Sequence, residues 1–436
     1  MAVYLICYGI SFILAWQHLY VLSGLVLVGA AIWLYIRDYM RTGNLIHLRG
    51  LFCLFFVGGQ GISCFKLSQP ADGLAAYYMD QLFCWQSWLS GGYFEVLTRM
   101  YDGWSAADMG SVYKYYSSAD SPLQANRILI SMAVITLISI LSFAFEAWKL
   151  GYIPMFSYGV PHAYSYFHIK GIHYFTVSCV LVPSLSVVYS LMMARRGRGL
   201  LRYKGFWLAV VCDIAAVMIP LLCVSRFQLI LAVGMAVFTY ISMTGSFSLI
   251  YVGVLLVALI PAYAALTVLR SHSVEYLNGI FEMKNSHMPI FITQPYMYIA
   301  NNYDNFNCMA AELKHFSFGL KGLFPLWALT GLKFIFPALT DFPLFVTKEE
   351  LTTVTLFYDA FYDFGVVGMV FFGGLLGGVC YLLGRFRRKL TCPAGHVIYA
   401  QIAMYMMLSF FTTWFSNPAT WFYLIVSGVV YVYVNS

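Results

Sequence analysis

"TVTLFYDAFYDFGVVGMVFFGGLLGGVCYLLGRFRRK" runs from Thr353 to Lys389. From Asp363 to Gly384 it contains almost nothing but apolar residues and glycine, and it ends on the basic run Arg385–Lys389. About 20 apolar residues cross a bilayer core as a helix, and arginines and lysines gather at the cytoplasmic end of such a span. The stretch therefore reads as a membrane helix whose inner end is "RFRRK". Its other end carries Asp359 and Asp363, one helical turn apart and flanked by Tyr358 and Tyr362.

The rest of the chain agrees. Of 436 residues, 61% are hydrophobic and 10% charged, and the mean hydropathy is +0.76. Soluble domains carry about 25% charged residues, so a water-soluble protein of this size has no way to hide so much apolar surface. Two further basic clusters stand beside apolar runs: Arg37, Arg41 and Arg49, and then Arg195, Arg196, Arg198, Arg202 and Lys204. The net charge of +7 is thus topogenic and does not point to nucleic acid. Apolar runs at residues 2–16, 20–36, 50–66, 77–96, 128–147, 171–193, 205–223, 227–243, 247–269, 363–384, 395–412 and 419–434 place even numbers of spans between the clusters. The expectation is an all-α polytopic integral membrane protein of about twelve transmembrane helices. Residues 1–269 would hold nine spans, 270–362 one long periplasmic loop with interfacial helices, and 363–436 three more. The first run lacks a basic n-region and a small-residue cleavage site, so it reads as a retained span. Most of the ten cysteines lie inside apolar runs, without metal-ligand spacing, and read as small buried hydrophobes.

Several polar residues stand where hydropathy gives no reason for them. Arg226, in "LLCVSRFQLI", falls at an outer turn, against the usual charge bias; Arg270 ends a later span on the same side, in "VLRSHSVEY". Two guanidiniums match a diphosphate bidentately, whereas the bland readings are a snorkelling side chain and a helix-end anchor. A helix beginning near Thr352 sets Thr355, Asp359 and Asp363 on one stripe and Tyr358 with Tyr362 on the next. Like charges at that spacing repel unless a cation sits between, and one carboxylate then suits a general base. Helix-dipole and interfacial anchoring explain Asp359 equally well, and the deeper Asp363 less well. In "QPYMYIANNYDNFN" (Gln294–Asn307), Tyr296, Tyr298, Asn301, Asn302 and Asp304 offer aromatic faces and amides for sugar rings and hydroxyls; the alternative is an Asn-rich turn. The broken apolar stretch Gly322–Leu339 suits an interfacial or re-entrant helix. His162, His168 and His173 are spaced by six and five, which puts no three on one helix face and argues against a metal; His272 and His315 are the isolated base candidates. Asp213 and Glu146 fall at membrane depth, as a transporter would require.

Taken together, "GYIPMFS" with "HAYSYFHIKGIHYF", "SRFQLIL", "YIANNYDNFN" and the Asp/Tyr helix mouth make the chain resemble the Wzy-type O-antigen and oligosaccharide repeat-unit polymerases. That resemblance implies a GT-C-like glycosyltransferase architecture in a bacterial inner membrane. Its substrate is undecaprenyl-diphosphate-linked oligosaccharide, elongated on the periplasmic face without cofactor or metal. A chain-length regulator would be a possible partner. In these terms Arg226 and Arg270 would hold the diphosphate, with Asp363, Asp359 or His272 as base. Tyr358, Tyr362 and the 296–304 residues would hold the glycan. An O-antigen ligase, or a lipid-linked oligosaccharide flippase or transporter, are the rival expectations.

Overall fold

The computed structural model describes residues 2–68, 94, 97–100, 121–157, 163–196, 200–246, 279–285, 287–388 and 390–436. The regular elements among them are helical: α1 (Ala2–Trp16), α2 (Tyr20–Thr42), α3 (Leu48–Ser63), α4 (Pro122–Leu150), α5 (His173–Ala194), α6 (Lys204–Leu222), α7 (Arg226–Thr244), α8 (Ile290–Glu312), α9 (Tyr358–Arg388), α10 (Gly395–Met407) and α11 (Pro418–Asn435). Seven of these, α2, α4, α5, α6, α7, α9 and α11, are long and apolar enough to cross a membrane. The protein is accordingly an α-helical, multi-pass membrane protein.

The described residues differ from the twelve-span expectation in two ways. Helices α1 and α3 are apolar but shorter than the seven. The expected span at 395–412 stops as a helix at Met407, and the chain turns through Trp414–Ser416 before α11. Thirteen residues rise only about 20 Å, short of a bilayer core. The expected spans at 77–96 and 247–269 lie outside the described residues, apart from Phe94 in the first.

By packing, the chain divides into two compact units that cut across the expected linear division. Unit 1 comprises Met1–Tyr113, Ser273–Phe386 and Tyr405–Trp421; unit 2 comprises Lys114–His272, Arg387–Met404 and Phe422–Ser436. In unit 1, α1 and α2 are joined by reciprocal bonds between Ser11 and Ser23, each hydroxyl donating to the other's carbonyl at 2.9–3.0 Å. Such exchange satisfies hydroxyls that hydrocarbon would leave bare. Helices α2 and α3 meet at Gly24 and Gly61, where a Cβ on Gly24 would stand 2.5 Å from the Gly61 carbonyl oxygen. The chain between α2 and α3 is tied by a buried ion pair: Arg49 donates through Nε (2.8 Å) and a terminal nitrogen (2.7 Å) to the two oxygens of Asp38. A π turn at Cys53–Val57 interrupts α3, and the Phe56 carbonyl accepts from the Tyr303 hydroxyl of α8.

The segment expected as a long loop thus contains the 23-residue α8, packed on α3. After it come the short turns Phe324–Leu329, Leu332–Ile335 and Pro337–Leu339. There Phe318, Leu323, Phe334, Ile335 and Phe336 are exposed, the pattern of a chain lying against lipid. In unit 2, α4–α7 pack around a core that includes Ile128, Met132, Val182, Met192, Cys212 and Ala216.

Candidate functional site

Helix α9 is broken six residues after it begins. Phe364 (φ −142, ψ 18) and Gly365 (φ 59, ψ −141) are non-helical, so Tyr358–Asp363 forms a separate turn at the head of the membrane span. Glycine is required at the break: a Cβ on Gly365 would stand 2.9 Å from the Phe316 ring, in a backbone region that L-residues rarely occupy. Thr355 lies before the helix, so the expected three-residue stripe reduces to Asp359 and Asp363.

The two carboxylates have different surroundings. Asp363 accepts from the Ser317 hydroxyl, from the Lys321 N–H at 3.1 Å and from the Gly322 N–H at 2.8 Å. Those bonds fold the 317–322 turn onto the head of α9, and a Cβ on Gly322 would come 2.6 Å from Asp363 Oδ2. With three donors on it, Asp363 holds that turn in place. Asp359 faces the Lys321 ammonium at 3.7 Å and hydrogen-bonds with the side chains of Thr413 and Ser416. Lys321 is the cation that the paired carboxylates call for. Its ammonium lies 3.9 Å from the Tyr362 ring centroid and 5.0 Å from that of Tyr358. Burial pulls its pKa below the usual lysine range, against the attraction of Asp359 and Asp363. The tyrosines are buried and occupied: the Tyr358 hydroxyl donates to Phe345 O (2.9 Å) and accepts from Phe345 N (3.0 Å), and the Tyr362 hydroxyl donates to Pro343 O (3.2 Å).

This turn forms one wall of a cavity of about 350 Å³. Lys321, Tyr358, Asp359, Thr413, Ser416 and Asn417 supply its polar lining, and Phe324, Phe342 and Leu344 part of its apolar lining. That volume falls in the range of small-ligand sites, about 300–1,000 Å³. Paired opposite charges, hydroxyls, an amide and aromatic edges in one recess match the face of a polyhydroxylated ligand.

The Asn-rich motif has another place. Residues 294–307 are interior to α8, neither a turn nor a surface platform. Tyr296, Asn301, Asn302 and Asp304 are buried, and among the five expected sugar contacts only Tyr298 is exposed, at 36%. Tyr296 accepts from Leu67 N (2.9 Å), and Asn302 donates to Tyr298 O. Asn301 and Asn305, one turn apart, pin the turn-containing chain at 347–353: Asn305 Nδ2 donates to Leu351 O (2.7 Å) and Thr353 O (2.8 Å), and its Oδ1 accepts from Thr347 N (2.8 Å). Of the residues expected to contact sugar, Tyr296, Asn301, Asn302 and Asp304 thus lie buried in α8. Burial lifts the Asp304 carboxyl to about 7, with Lys66 acting in the opposite sense.

Arg226 opens α7 in unit 2, buried behind Ser225 and behind Val224 at a φ of 55°. The same unit holds Glu146, which the sequence placed at membrane depth without naming its partners. Glu146, fully buried near the end of α4, accepts from Ile169 N (2.8 Å) and Thr176 Oγ1 (2.7 Å) and faces His173 Nδ1 at 3.2 Å. A lone carboxylate near the end of an apolar helix was the available signal; its partners are 23 to 30 residues away. Lys321 was a similar signal, a single cation in "HFSFGLKGLFP". His315 is exposed. Arg270, His272 and His162 lie outside the described residues. Among the described residues no group of three or more His, Cys, Asp or Glu side chains is arranged to hold a metal. No family model, no curated protein and no solved structure matches the chain.

Proposed function

We propose that the protein is a membrane glycosyltransferase that joins undecaprenyl-diphosphate-linked oligosaccharide units on the periplasmic face of a bacterial inner membrane. The observation that carries this reading is the Lys321–Asp359 pair inside a 350 Å³ recess walled by aromatic rings and hydroxyls, at the head of an apolar helix. Asp359, Thr413, Ser416 and Asn417 hydrogen-bond sugar hydroxyls, and Phe324 and Phe342 give rings an apolar face. Lys321 supplies the positive charge that an anionic donor meets on entry. The exposed apolar chain at 318–336 keeps the recess beside the lipid that delivers the substrate.

The test is elongation by purified protein in proteoliposomes containing undecaprenyl-diphosphate-linked repeat units. The expected result is a ladder of longer glycans, and Asp359→Asn and Lys321→Ala each lower its rate by about 100-fold, the loss of one or two charged hydrogen bonds. Folded protein that leaves every unit unextended refutes the reading. Transfer to a lipid A core acceptor would identify a ligase. A second reading, translocation without chemistry, is favoured by Asp213, which accepts from Ser186 partway along α6 (2.5 Å). Units that cross the bilayer unextended would establish it.

A further inference from the structure

Four of the six residues at the head of α9 act on one lysine. Tyr358, Asp359, Tyr362 and Asp363 each meet the Lys321 ammonium or its backbone. Tyr358 and Asp359 line the recess together with Lys321, whereas Tyr362 and Asp363 are not among its walls.

Asp363 does more than anchor the 317–322 turn. The main chain by itself docks that turn on α9: the Ser317 N–H donates to Tyr362 O (3.2 Å) and the Phe318 N–H to Asp363 O (3.1 Å). The Asp363 carboxylate adds bonds from the Lys321 N–H at 3.1 Å and from the Gly322 N–H at 2.8 Å. These belong to the two peptide planes on either side of the Lys321 α-carbon. Each plane is rigid, so holding both fixes φ and ψ between them. A residue outside the recess thereby sets the direction in which the Lys321 side chain leaves the backbone.

The other end of the side chain is held too. Lysine carries its charge on a flexible four-carbon stem, so the ammonium stays in one place only if something seats it. Here it lies 3.9 Å from the Tyr362 ring centroid, 5.0 Å from that of Tyr358 and 3.7 Å from Asp359 Oδ1. The side chains of Lys321 and Asp359 are 16% and 9% exposed, so water screens the pair weakly, and a desolvated cation is drawn to an aromatic face. Both tyrosine hydroxyls bond to the chain at 343–345, which keeps the rings in place.

We propose that Asp363 and Tyr362 are positioning residues for Lys321. Asp363 sets the backbone from which the side chain departs, and Tyr362 seats the ammonium beside Asp359. The recess then meets its ligand with a charge pair already in position. The proposal rests on the glycosyl-transfer reading for the identity of the ligand, and on the geometry alone for the hold on Lys321.

Two measurements test this on the full-length protein. The first is a proton–carbon spectrum in detergent micelles of protein labelled with carbon-13 at the lysine ε-carbon, with the Lys321 signal identified by its loss in Lys321→Arg. In the wild type that signal is shifted upfield by the Tyr362 ring. Tyr362→Phe keeps the shift and Tyr362→Leu removes most of it. Asp363→Asn, with one acceptor oxygen in place of two, moves the signal toward that of the exposed Lys314. If Asp363→Asn does not fold, Asp363→Glu displaces the carboxylate by one methylene and carries the same expectation. A shift that survives Tyr362→Leu overturns the seat, and an unmoved signal in the Asp363 variant overturns the backbone role. The second measurement is elongation in proteoliposomes: Tyr362→Leu and Asp363→Asn each lower the rate by ~10-fold, and Tyr362→Phe recovers at least ~5-fold of the loss in Tyr362→Leu. Equal loss in the two Tyr362 variants assigns it to the hydroxyl and overturns the part of the ring. A wild-type protein that extends no unit defeats the glycosyltransferase reading, and the spectra still decide how Lys321 is held.

Discussion

Removing the Asn305 amide should unpin one wall of the unit 1 cavity. Asn305 is fully buried. Its Nδ2 donates to Leu351 O and Thr353 O, and its Oδ1 accepts from the N–H and the hydroxyl of Thr347 at 2.8 and 3.0 Å. In Asn305→Ala, Leu351 O and the Thr347 hydroxyl keep their bonds to Asn301, at 3.1 and 2.9 Å. The Thr353 carbonyl and the Thr347 N–H lose theirs. Both residues are half-buried, so water replaces part of each bond and the cost lies at the low end of the range, about 1 kcal/mol apiece. A local loss of about 2 kcal/mol corresponds to roughly 30-fold faster exchange of the Thr347 amide, since each 1.4 kcal/mol is tenfold. Hydrogen exchange with mass spectrometry in detergent micelles, on a peptide covering 344–353, measures this directly. Leu344 and Val354 flank the pinned chain and line the cavity, so elongation should fall in step. The control is Asn302→Ala, whose amide nitrogen donates to Tyr298 O within α8 and which should leave Thr347 exchange unchanged. Unchanged exchange in Asn305→Ala, or equal acceleration in the control, refutes the clamp.

Three more outcomes follow from the geometry. Gly365→Ala forces a side chain into a positive-φ backbone against the Phe316 ring and should cost about 1–3 kcal/mol, visible as a lower thermal midpoint by size-exclusion in detergent; an unshifted midpoint contradicts the required break. Arg49→Met leaves the buried Asp38 without its bidentate partner; loss of such a partner costs about 3–5 kcal/mol, here toward the lower end because Arg99 stands 3.6 Å from the same carboxylate. Folded yield in detergent reads this out, and a wild-type yield would contradict it. Asp304 gives a pH dependence. Its folded pKa of about 7 exceeds the unfolded value of about 3.9, so its stabilisation is complete below about pH 4 and drains away as the pH rises toward 7. Asp304→Asn should flatten thermal midpoint against pH across that window, and an unchanged slope would assign the dependence elsewhere.

The seven long apolar helices were legible because hydropathy and length are local properties of a segment. The clusters that bound them were legible for the same reason: a guanidinium beside an apolar run has few places to go. The end of α10 was not, because "LSFF" after Met407 is as apolar as a span and only the turn at Trp414–Ser416 stops it. The 290–312 segment misled in a different way. Its proline and asparagines read as loop, yet Asn301 and Asn305 lie one helical turn apart and meet a chain segment more than 40 residues away. Polar residues whose partners are distant look exposed in a sequence and are buried in a fold.

The same division runs through the site. Sequence alone established that Asp359 and Asp363 stand at the head of a membrane helix among tyrosines, and that two like charges there need a cation, since spacing along a helix is arithmetic. It gave no means of choosing Lys321 as that cation, of separating an anchoring Asp363 from a cavity-facing Asp359, or of pairing Glu146 with His173. Those assignments depend on which side chains the packed helices bring within about 4 Å, and charge interactions inside a protein are decided at that distance.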